Sequence, residues 1–284
     1  MTRRGVLALA ACSVGSAWSA KRYPVTGIIL TVDRAHHSFM ASIAAIPGYM
    51  EAMSMPFSVR DARELASLQA GAYVEFTLVV ESDNSWVEGI RMHHFVSMEQ
   101  EPLLARRLQL LQGAEPLKGP AIGQAVQDFT LTDQTGRQVS LSQFAGKVVG
   151  VTFIYTSCPL PNYCFRLSNN FGRLNQRFAG RMGRDLVLLS VTIDPVHDRP
   201  DVLAKYAGTF KADPRSWHFL TGTLPEVQSV CRQFGLNVWQ DEGLFTHALH
   251  TVVIDRAGKV AADFEGNEFS AQQLGDFVLA VIQR

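Results

Sequence analysis

Residues 25–97 alternate between hydrophobic and polar positions, a period of two that is typical of half-buried β-strands. Turn residues such as Gly48 and Gly71 separate the runs. Two runs each place four residues on one strand face: Thr26, Ile28, Leu30 and Val32, and then Val74, Phe76, Leu78 and Val80. Roughly five short strands over this length predict a small all-β barrel.

From residue 123 onward the period changes repeatedly between that of a strand and that of a helix, which predicts an α/β sheet with crossover helices. The predicted strands are Val148–Tyr155, Leu186–Ile193, His218–Leu220 and Thr251–Asp255. Helical stripes separate them, and Ser270 is placed to cap a last helix. Hydrophobic residues of that helix are expected in the core: Leu274, Phe277, Val278, Val281 and Ile282.

Residues 98–122 interrupt both patterns. Five Pro and Gly residues punctuate this polar segment, so we predict a linker. The chain of 284 residues exceeds the usual size of one compact domain. We therefore expect two domains, residues 23–97 and residues 123–284.

Residues 1–20 have the order of an export signal: Arg3 and Arg4, then a short hydrophobic run, then small residues. The run is too short to span a bilayer. The stretch Leu9-Ala10-Ala11-Cys12 resembles a bacterial lipobox, which implies a lipid anchor on Cys12. Cleavage further along without lipidation is the alternative, and so is a buried N-terminal helix. The signal predicts a periplasmic or other extracytoplasmic protein.

The formal net charge is zero and the isoelectric point is near 7.1. Nucleic acids are therefore not expected as partners, because phosphate backbones are bound by strongly basic surfaces. Of the four cysteines, at positions 12, 158, 164 and 231, only two are close in sequence. A disulfide framework is excluded for a chain of this length, and Cys231 falls on a helical hydrophobic stripe that predicts a buried structural thiol.

Cys158 and Cys164 belong to the loop that follows a predicted buried strand, where open α/β sheets place their ligands. Pro159 and Pro161 restrict this loop, so little entropy is lost when both sulfur atoms converge on one metal ion. A disulfide across five intervening residues is also feasible. From the spacing alone, a metal site and a redox pair remain equally open.

The sequence Thr156-Ser157-Cys158-Pro159 followed by Cys164 resembles the active-site loop of the Sco/SenC family. The segments 129–146, 190–200 and 250–258 fit the same family in order. The resemblance implies a thioredoxin-like fold and copper bound by Cys158, Cys164 and His250. The family's usual loop has three residues between its cysteines and this loop has five. Thiolates suit Cu(I) and imidazole also suits Cu(II), so this ligand set can hold both oxidation states.

Three polar residues near these ligands are weaker candidates. Asp194 and Asp198 are placed to support the ligands through hydrogen bonds. Helix capping is the alternative for Asp198, because a hydrophobic stripe follows it. His247, three residues before His250, is a candidate for the same supporting role or a substitute ligand.

Met53 and Met55 share one face of an extended strand, and Met50 lies close by. Thioethers are soft and uncharged, so they suit Cu(I), while filling a small core is the alternative role. The run from Ala45 to Phe57 resembles the CusF family of small periplasmic copper carriers, which have an OB-like barrel. That resemblance covers residues 23–97 and matches Met53 and Met55 to metal ligands, with Ile43 where the family has histidine.

These features predict a copper metallochaperone that delivers Cu to an apo-metalloprotein, and the Sco/SenC resemblance implies a copper centre of cytochrome c oxidase as recipient. Under this hypothesis the protein is not an enzyme. A periplasmic thiol-disulfide oxidoreductase is the alternative, in which Cys158 attacks and Cys164 resolves. Copper buffering or resistance is a third hypothesis.

Overall fold

A computed structural model describes residues 20–82, 84–92, 117–236, 238–241, 244–247 and 249–284. Cys12 and most of the predicted linker lie outside these ranges. Two main sheets organise the described chain, one in its N-terminal part and one in its C-terminal part. No helix within the described ranges combines the length and the hydrophobicity needed to cross a bilayer.

The N-terminal sheet has five antiparallel strands in the order β3-β2-β1-β4-β5. Its strands are β1 (Lys21–Asp33), β2 (Ser38–Ile43), β3 (Met53–Ser58), β4 (Tyr73–Val80) and β5 (Ser85–Met92). Just after β3, Val59 forms a parallel bridge with Val87 of β5, so the two edges of the sheet meet there. The prediction of an all-β N-terminal region with about five strands is confirmed.

Strand β1 is buried on both faces, which its sequence pattern does not predict. Val25 and Ile29 pack inside the N-terminal sheet, whereas Ile28 and Leu30 join the core of the C-terminal region. A bulge between Ile29 and Thr31 shifts the register against β2. The face that carries Ile28 and Leu30 is therefore covered by the other half of the chain.

The C-terminal sheet has seven strands in the order β14-β13-β8-β9-β10-β6-β7. They are β6 (Thr130–Asp133), β7 (Gln138–Ser140), β8 (Val148–Ile154), β9 (Leu186–Thr192), β10 (Trp217–Thr221), β13 (His250–Ile254) and β14 (Val260–Glu265). Strands β8, β9 and β10 run parallel, and β13 runs antiparallel to β8. Strands β11 (Val238–Asp241) and β12 (Leu244–His247) form a separate hairpin.

Four α-helices accompany this sheet: α1 (Arg166–Arg177), α2 (Pro200–Thr209), α3 (Leu224–Gln233) and α4 (Ala271–Ile282). Helix α4 begins with a capping box, in which Ser270 and Gln273 each bond the other's backbone N–H, as the sequence predicts for Ser270. All five residues expected inside the core from this helix are buried. The predicted strands also agree with β8, β9, β10 and β13 to within one residue at each end.

Cys231 lies on α3 and is buried, as its position on the hydrophobic stripe predicts. Burial raises the pKa of this thiol to about 12, so it stays protonated at neutral pH. A buried neutral thiol packs as a small hydrophobic side chain.

Candidate metal centre

The cysteine loop starts where β8 ends. Strand β8 is buried throughout, because it lies inside the sheet between β13 and β9. The loop residues Ser157, Pro159 and Leu160 are exposed, and a single turn of π-helix, Pro161–Phe165, then leads into α1. Cys158 is half-buried before this turn and Cys164 is buried inside it. The structure thus presents one thiol toward the surface and holds the other beneath it.

Both thiols are free. The neighbouring Cys164 thiol lowers the pKa of Cys158 to about 6. The neighbouring Cys158 thiol, together with burial, raises the pKa of Cys164. Near pH 7 the pair therefore carries one negative charge and one proton, which makes Cys158 the more reactive thiol.

We expect alkylation of Cys158 by iodoacetamide to rise with pH around pH 6 and to level off above it, because the thiolate is the reacting form. Cys164 and Cys231 should react far more slowly, since burial restricts both. Mass spectrometry of modified peptides after timed quenching measures the three rates. A half-maximal Cys158 rate near the free value of about 8.5 would contradict the thiolate–thiol pair.

His250 is the first residue of β13. Because β13 runs antiparallel to β8, its start lies at the sheet edge where β8 ends and the cysteine loop begins. The Thr152 hydroxyl of β8 donates to the His250 carbonyl at 3.3 Å. His250 and the two cysteines therefore lie at the same end of the sheet, where β8 ends and β13 begins.

Asp263 of β14 holds the His250 ring. His250 Nδ1 lies 2.9 Å and 3.0 Å from the two carboxylate oxygen atoms of Asp263. Burial lowers the pKa of His250, but the hydrogen bond and the charge of Asp263 outweigh it, and the net pKa is raised. With Nδ1–H donating to the carboxylate, Nε2 is the nitrogen left to bind a metal.

Asp198 is fully buried and ties the cysteine loop to the end of β9. Its carboxylate accepts hydrogen bonds from Thr156 N at 3.0 Å, from the Thr156 hydroxyl at 2.5 Å and from the Thr192 hydroxyl at 2.6 Å. His197 Nδ1 lies 2.9 Å from the same group. The N-cap of α2 is Arg199, so Asp198 does not cap that helix. Asp198 positions Thr156, two residues before Cys158.

Asp194 has a smaller role at the same corner. Its backbone N–H donates to the Thr192 hydroxyl, and its side chain accepts from His197 N at 3.3 Å. His247 ends β12, and its side chain is outside the described part of the structure. Its predicted contribution to the site stays a prediction.

The structure brings Cys158 and Cys164 together and places His250 at the same sheet edge. Among the residues that the structure describes, no three His, Cys, Asp or Glu side chains are close enough to hold a metal ion as they stand. Closing the predicted ligand set therefore requires movement of the loop or of a side chain. The donor chemistry fits copper, because two sulfur atoms and one imidazole nitrogen are available.

The methionines lie on the N-terminal sheet. Met53 and Met55 occupy the β3 face that also carries the buried Phe57; Met53 is 43% exposed and Met55 packs partly against the core. Met50 also packs partly against that core. Ile43 pairs directly with Met53 and is fully buried, so an alkyl group stands beside the exposed thioether.

Asp263 and Thr156 were not identified by sequence reasoning. Asp263 could have been found by counting back the β13–β14 hairpin from its turn at Gly258, which places it diagonally opposite His250. Thr156 gives no comparable signal, because its contact with Asp198 joins residues 42 positions apart.

Two parts of the chain are similar to known protein families. Residues 119–282 match the SCO1/SenC family model, and residues 22–92 match that of the copper binding periplasmic protein CusF. The SCO1 protein homolog of Bacillus subtilis is 28% identical over 163 residues, 55% of this chain and 81% of that protein. The mitochondrial SCO1 protein of Saccharomyces cerevisiae is 29% identical over 132 residues, 45% of this chain and 42% of that protein.

Among solved structures, a SCO1/SenC family lipoprotein from Bacillus anthracis superimposes with a TM-score of 0.50 at 23% identity, over 57% of this chain and 99% of that one. This likeness concerns the fold, and it confirms the thioredoxin-like α/β fold expected for the C-terminal region. The family model spans more than half of the chain, and therefore the chain belongs to the SCO1/SenC family.

Proposed function

We propose that this protein is an extracytoplasmic copper chaperone, which binds copper through Cys158, Cys164 and His250 and releases it to an apo-metalloprotein. The observation that carries the proposal is that Cys158 and Cys164 lie in a partly exposed loop at the end of β8, where Asp263 also orients His250. Soft sulfur ligands hold Cu(I), and the imidazole extends the site to Cu(II).

The position of the ligands supports delivery rather than storage. Cys158 is half-buried beside the exposed residues Pro159 and Leu160, so a thiolate of a recipient can approach the metal from that side. Binding the second thiolate releases the Cys164 proton, and a recipient ligand can then displace either sulfur without a change in copper oxidation state. Family membership makes a copper centre of cytochrome c oxidase the recipient we propose.

Transfer to that recipient is directly testable. The full chain, loaded with one equivalent of Cu(I), is mixed with the apo form of a soluble oxidase copper-binding domain, and copper is followed by chromatography and metal analysis. We expect most of the copper to move to the recipient, while the Cys158→Ser chain carries none at the cysteine site to transfer. Copper that stays on the loaded chain would contradict delivery to this recipient and favour buffering.

A thiol-disulfide oxidoreductase is the second candidate, and the lowered pKa of Cys158 favours it. Such an enzyme attacks a substrate disulfide with the Cys158 thiolate and resolves the mixed disulfide with Cys164, which leaves the chain oxidised and the substrate reduced. This chemistry requires both cysteines and does not require His250. The effect of replacing His250 therefore separates the two candidates.

We also propose that Met53 and Met55 bind Cu(I), since the thioethers lie together on one face of β3. In a full chain with Cys158→Ser and Cys164→Ser, titration should show one saturable Cu(I) equivalent. Adding Met53→Leu and Met55→Leu should remove it, and leucine keeps the hydrophobic packing. No saturable binding at micromolar copper before the methionine change would assign both residues to the core. Anchorage through a lipid on Cys12 stays a prediction from the sequence.

A further inference from the structure

Helix α4 packs against both halves of the chain. Ile28, Leu30 and Tyr73 of the N-terminal sheet belong to the same buried core as the hydrophobic residues of α4. The turn at Gly71 also approaches β14 so closely that a Cβ atom built there would lie 2.5 Å from the Ala262 Cβ. The two sheets are therefore in tight contact, with no room for one more methyl group at this point.

Polar contacts from Asp276 fix the methionine strand on this surface. One Asp276 oxygen accepts hydrogen bonds from the Ser42 and Ser54 hydroxyls, each at 2.7 Å, and the other accepts from Arg177 Nη2 at 2.5 Å. Ser54 lies between Met53 and Met55 and points to the opposite face of β3. Asp276 therefore binds β3 on the face opposite the one that carries the Met53 and Met55 thioethers.

Two glutamines of α4 complete this attachment. Gln272 Nε2 donates to the Ala52 carbonyl at 3.0 Å, one residue before Met53. Gln273, which is buried, donates to the Ser42 carbonyl at 3.3 Å. These bonds reach backbone atoms, so they set the position of β2 and β3 and not only the rotamer of a side chain.

The segment just before α4 contacts the cysteine loop. Asn267 Nδ2 donates to the Asn162 carbonyl, inside the turn that carries Cys164, and Arg166 Nη2 lies 3.4 Å from the Glu268 carbonyl. Asn267 and Gln272 are five positions apart in the sequence, which limits their Cα distance to about 18 Å even when fully extended. The methionine strand and the cysteine loop are therefore attached to neighbouring points of one short segment.

We propose that residues 267–276, here called the bridging segment, hold the methionine strand beside the cysteine loop so that Cu(I) passes from Met53 and Met55 to Cys158 and Cys164 within one molecule. This inference rests on the proposed function. In the transfer, the copper–thioether bonds break and two copper–thiolate bonds form. The proton still held by the thiol pair leaves to solvent, and copper remains Cu(I).

Attachment of the methionine strand to the bridging segment sets the effective concentration of the cysteine site, which accepts the copper. Two sites held on one scaffold meet at an effective concentration on the order of millimolar, whereas separate chains in a dilute solution meet at their bulk concentration. Copper leaving the thioethers is then captured by the same chain before a competitor in solution reaches it. Transfer within the molecule should also be independent of protein dilution.

The test is a partition experiment on the full chain. Cys158 and Cys164 are first oxidised to the disulfide with each other, Cu(I) is loaded on the methionines, and a phosphine reductant is added together with a coloured Cu(I) chelator. The ratio of copper on the protein thiolates to copper on the chelator is measured at several dilutions. We compare the wild type with Ser54→Ala/Gln272→Ala, and with the matched control Ser58→Ala/Gln138→Ala, whose exposed positions make no contact with the bridging segment.

We expect the wild type and the control to give the same ratio at every dilution, and Ser54→Ala/Gln272→Ala to lower it about tenfold. Hydrogen exchange of β3 reports separately on docking and should be faster in that variant. If hydrogen exchange of β3 is unchanged in Ser54→Ala/Gln272→Ala, the partition assay is repeated with Asp276→Asn. This substitution weakens the hydrogen bonds from both Ser42 and Ser54. The proposal is overturned if a variant with faster exchange in β3 still gives the wild-type ratio of copper on the thiolates to copper on the chelator. It is also overturned if the Met53→Leu/Met55→Leu chain takes up Cu(I) in the loading step.

Failure of the proposed chaperone function can be distinguished from failure of the relay between the two sites. If direct titration of the unblocked chain shows no copper on Cys158 and Cys164, the chaperone assignment itself is wrong. If the cysteines bind copper in that titration but the wild-type partition changes with dilution, only the relay within the molecule is wrong.

Discussion

Replacing His250 by alanine is expected to weaken copper binding at the cysteine site by at least about 100-fold, more than the loss of a supporting residue costs. The change removes the one nitrogen ligand that we propose, whose ring Asp263 orients through Nδ1. Competition titrations with chelators of known affinity measure the loss for Cu(I) and Cu(II). The loss should be larger for Cu(II), because thiolates alone favour Cu(I).

The same variant should keep its thiol chemistry. Cys164 and not His250 lowers the pKa of Cys158, so the rate of the cysteines' reaction with a small disulfide should remain within about twofold of the wild type. His36→Ala is a matched control, because His36 is exposed on the N-terminal sheet and distant in sequence from the cysteine loop. Copper affinity that survives His250→Ala would disprove the ligand assignment and leave the oxidoreductase as the better candidate.

Replacing Asp198 by alanine is expected to lower the free energy of unfolding by about 3 kcal/mol, because it leaves one buried and two half-buried donors without this acceptor. The affected donors are Thr156 N, the Thr156 hydroxyl and the Thr192 hydroxyl. Copper affinity should fall 10- to 100-fold, which is about the effect of removing a residue that orients a metal ligand. Urea denaturation and chelator competition measure the two quantities.

Asp201→Ala provides the comparison for this experiment. Asp201 is exposed on α2 and contacts only Arg199, at 3.5 Å, among the described ion pairs. Its replacement should change stability by no more than about 0.5 kcal/mol and should leave copper binding unaltered. Equal effects of the two substitutions would show that Asp198 does not position the cysteine loop.

Local pattern was sufficient for most of the α/β region. Strand β8 was predictable because a strand buried on both faces has a nearly continuous run of hydrophobic residues, and α4 because its stripe follows a serine cap. Both signals lie within a dozen residues of chain. The position of Cys158 and Cys164 in a loop after β8 followed from the same reasoning.

Strand β1 shows where local pattern fails. Its alternation indicates one buried face, yet Ile28 and Leu30 pack on the C-terminal region while Val25 and Ile29 fill the N-terminal sheet. A hydrophobic position shows that a side chain is buried but not which partner covers it. The partner that covers Ile28 and Leu30 is helix α4, which begins only at Ala271.

The sequence by itself determined the element types, the soft-ligand chemistry of Cys158, Cys164 and the methionines, and the family resemblance. Only the tertiary structure decided which carboxylate orients His250, which one anchors the cysteine loop, and that Asp276 joins helix α4 to the N-terminal sheet. The physical reason is the sequence distance over which each kind of information acts. Propensity and periodicity act over a few residues, whereas the acceptors of these hydrogen bonds are chosen by how the strands and helices pack, across up to 234 positions of sequence.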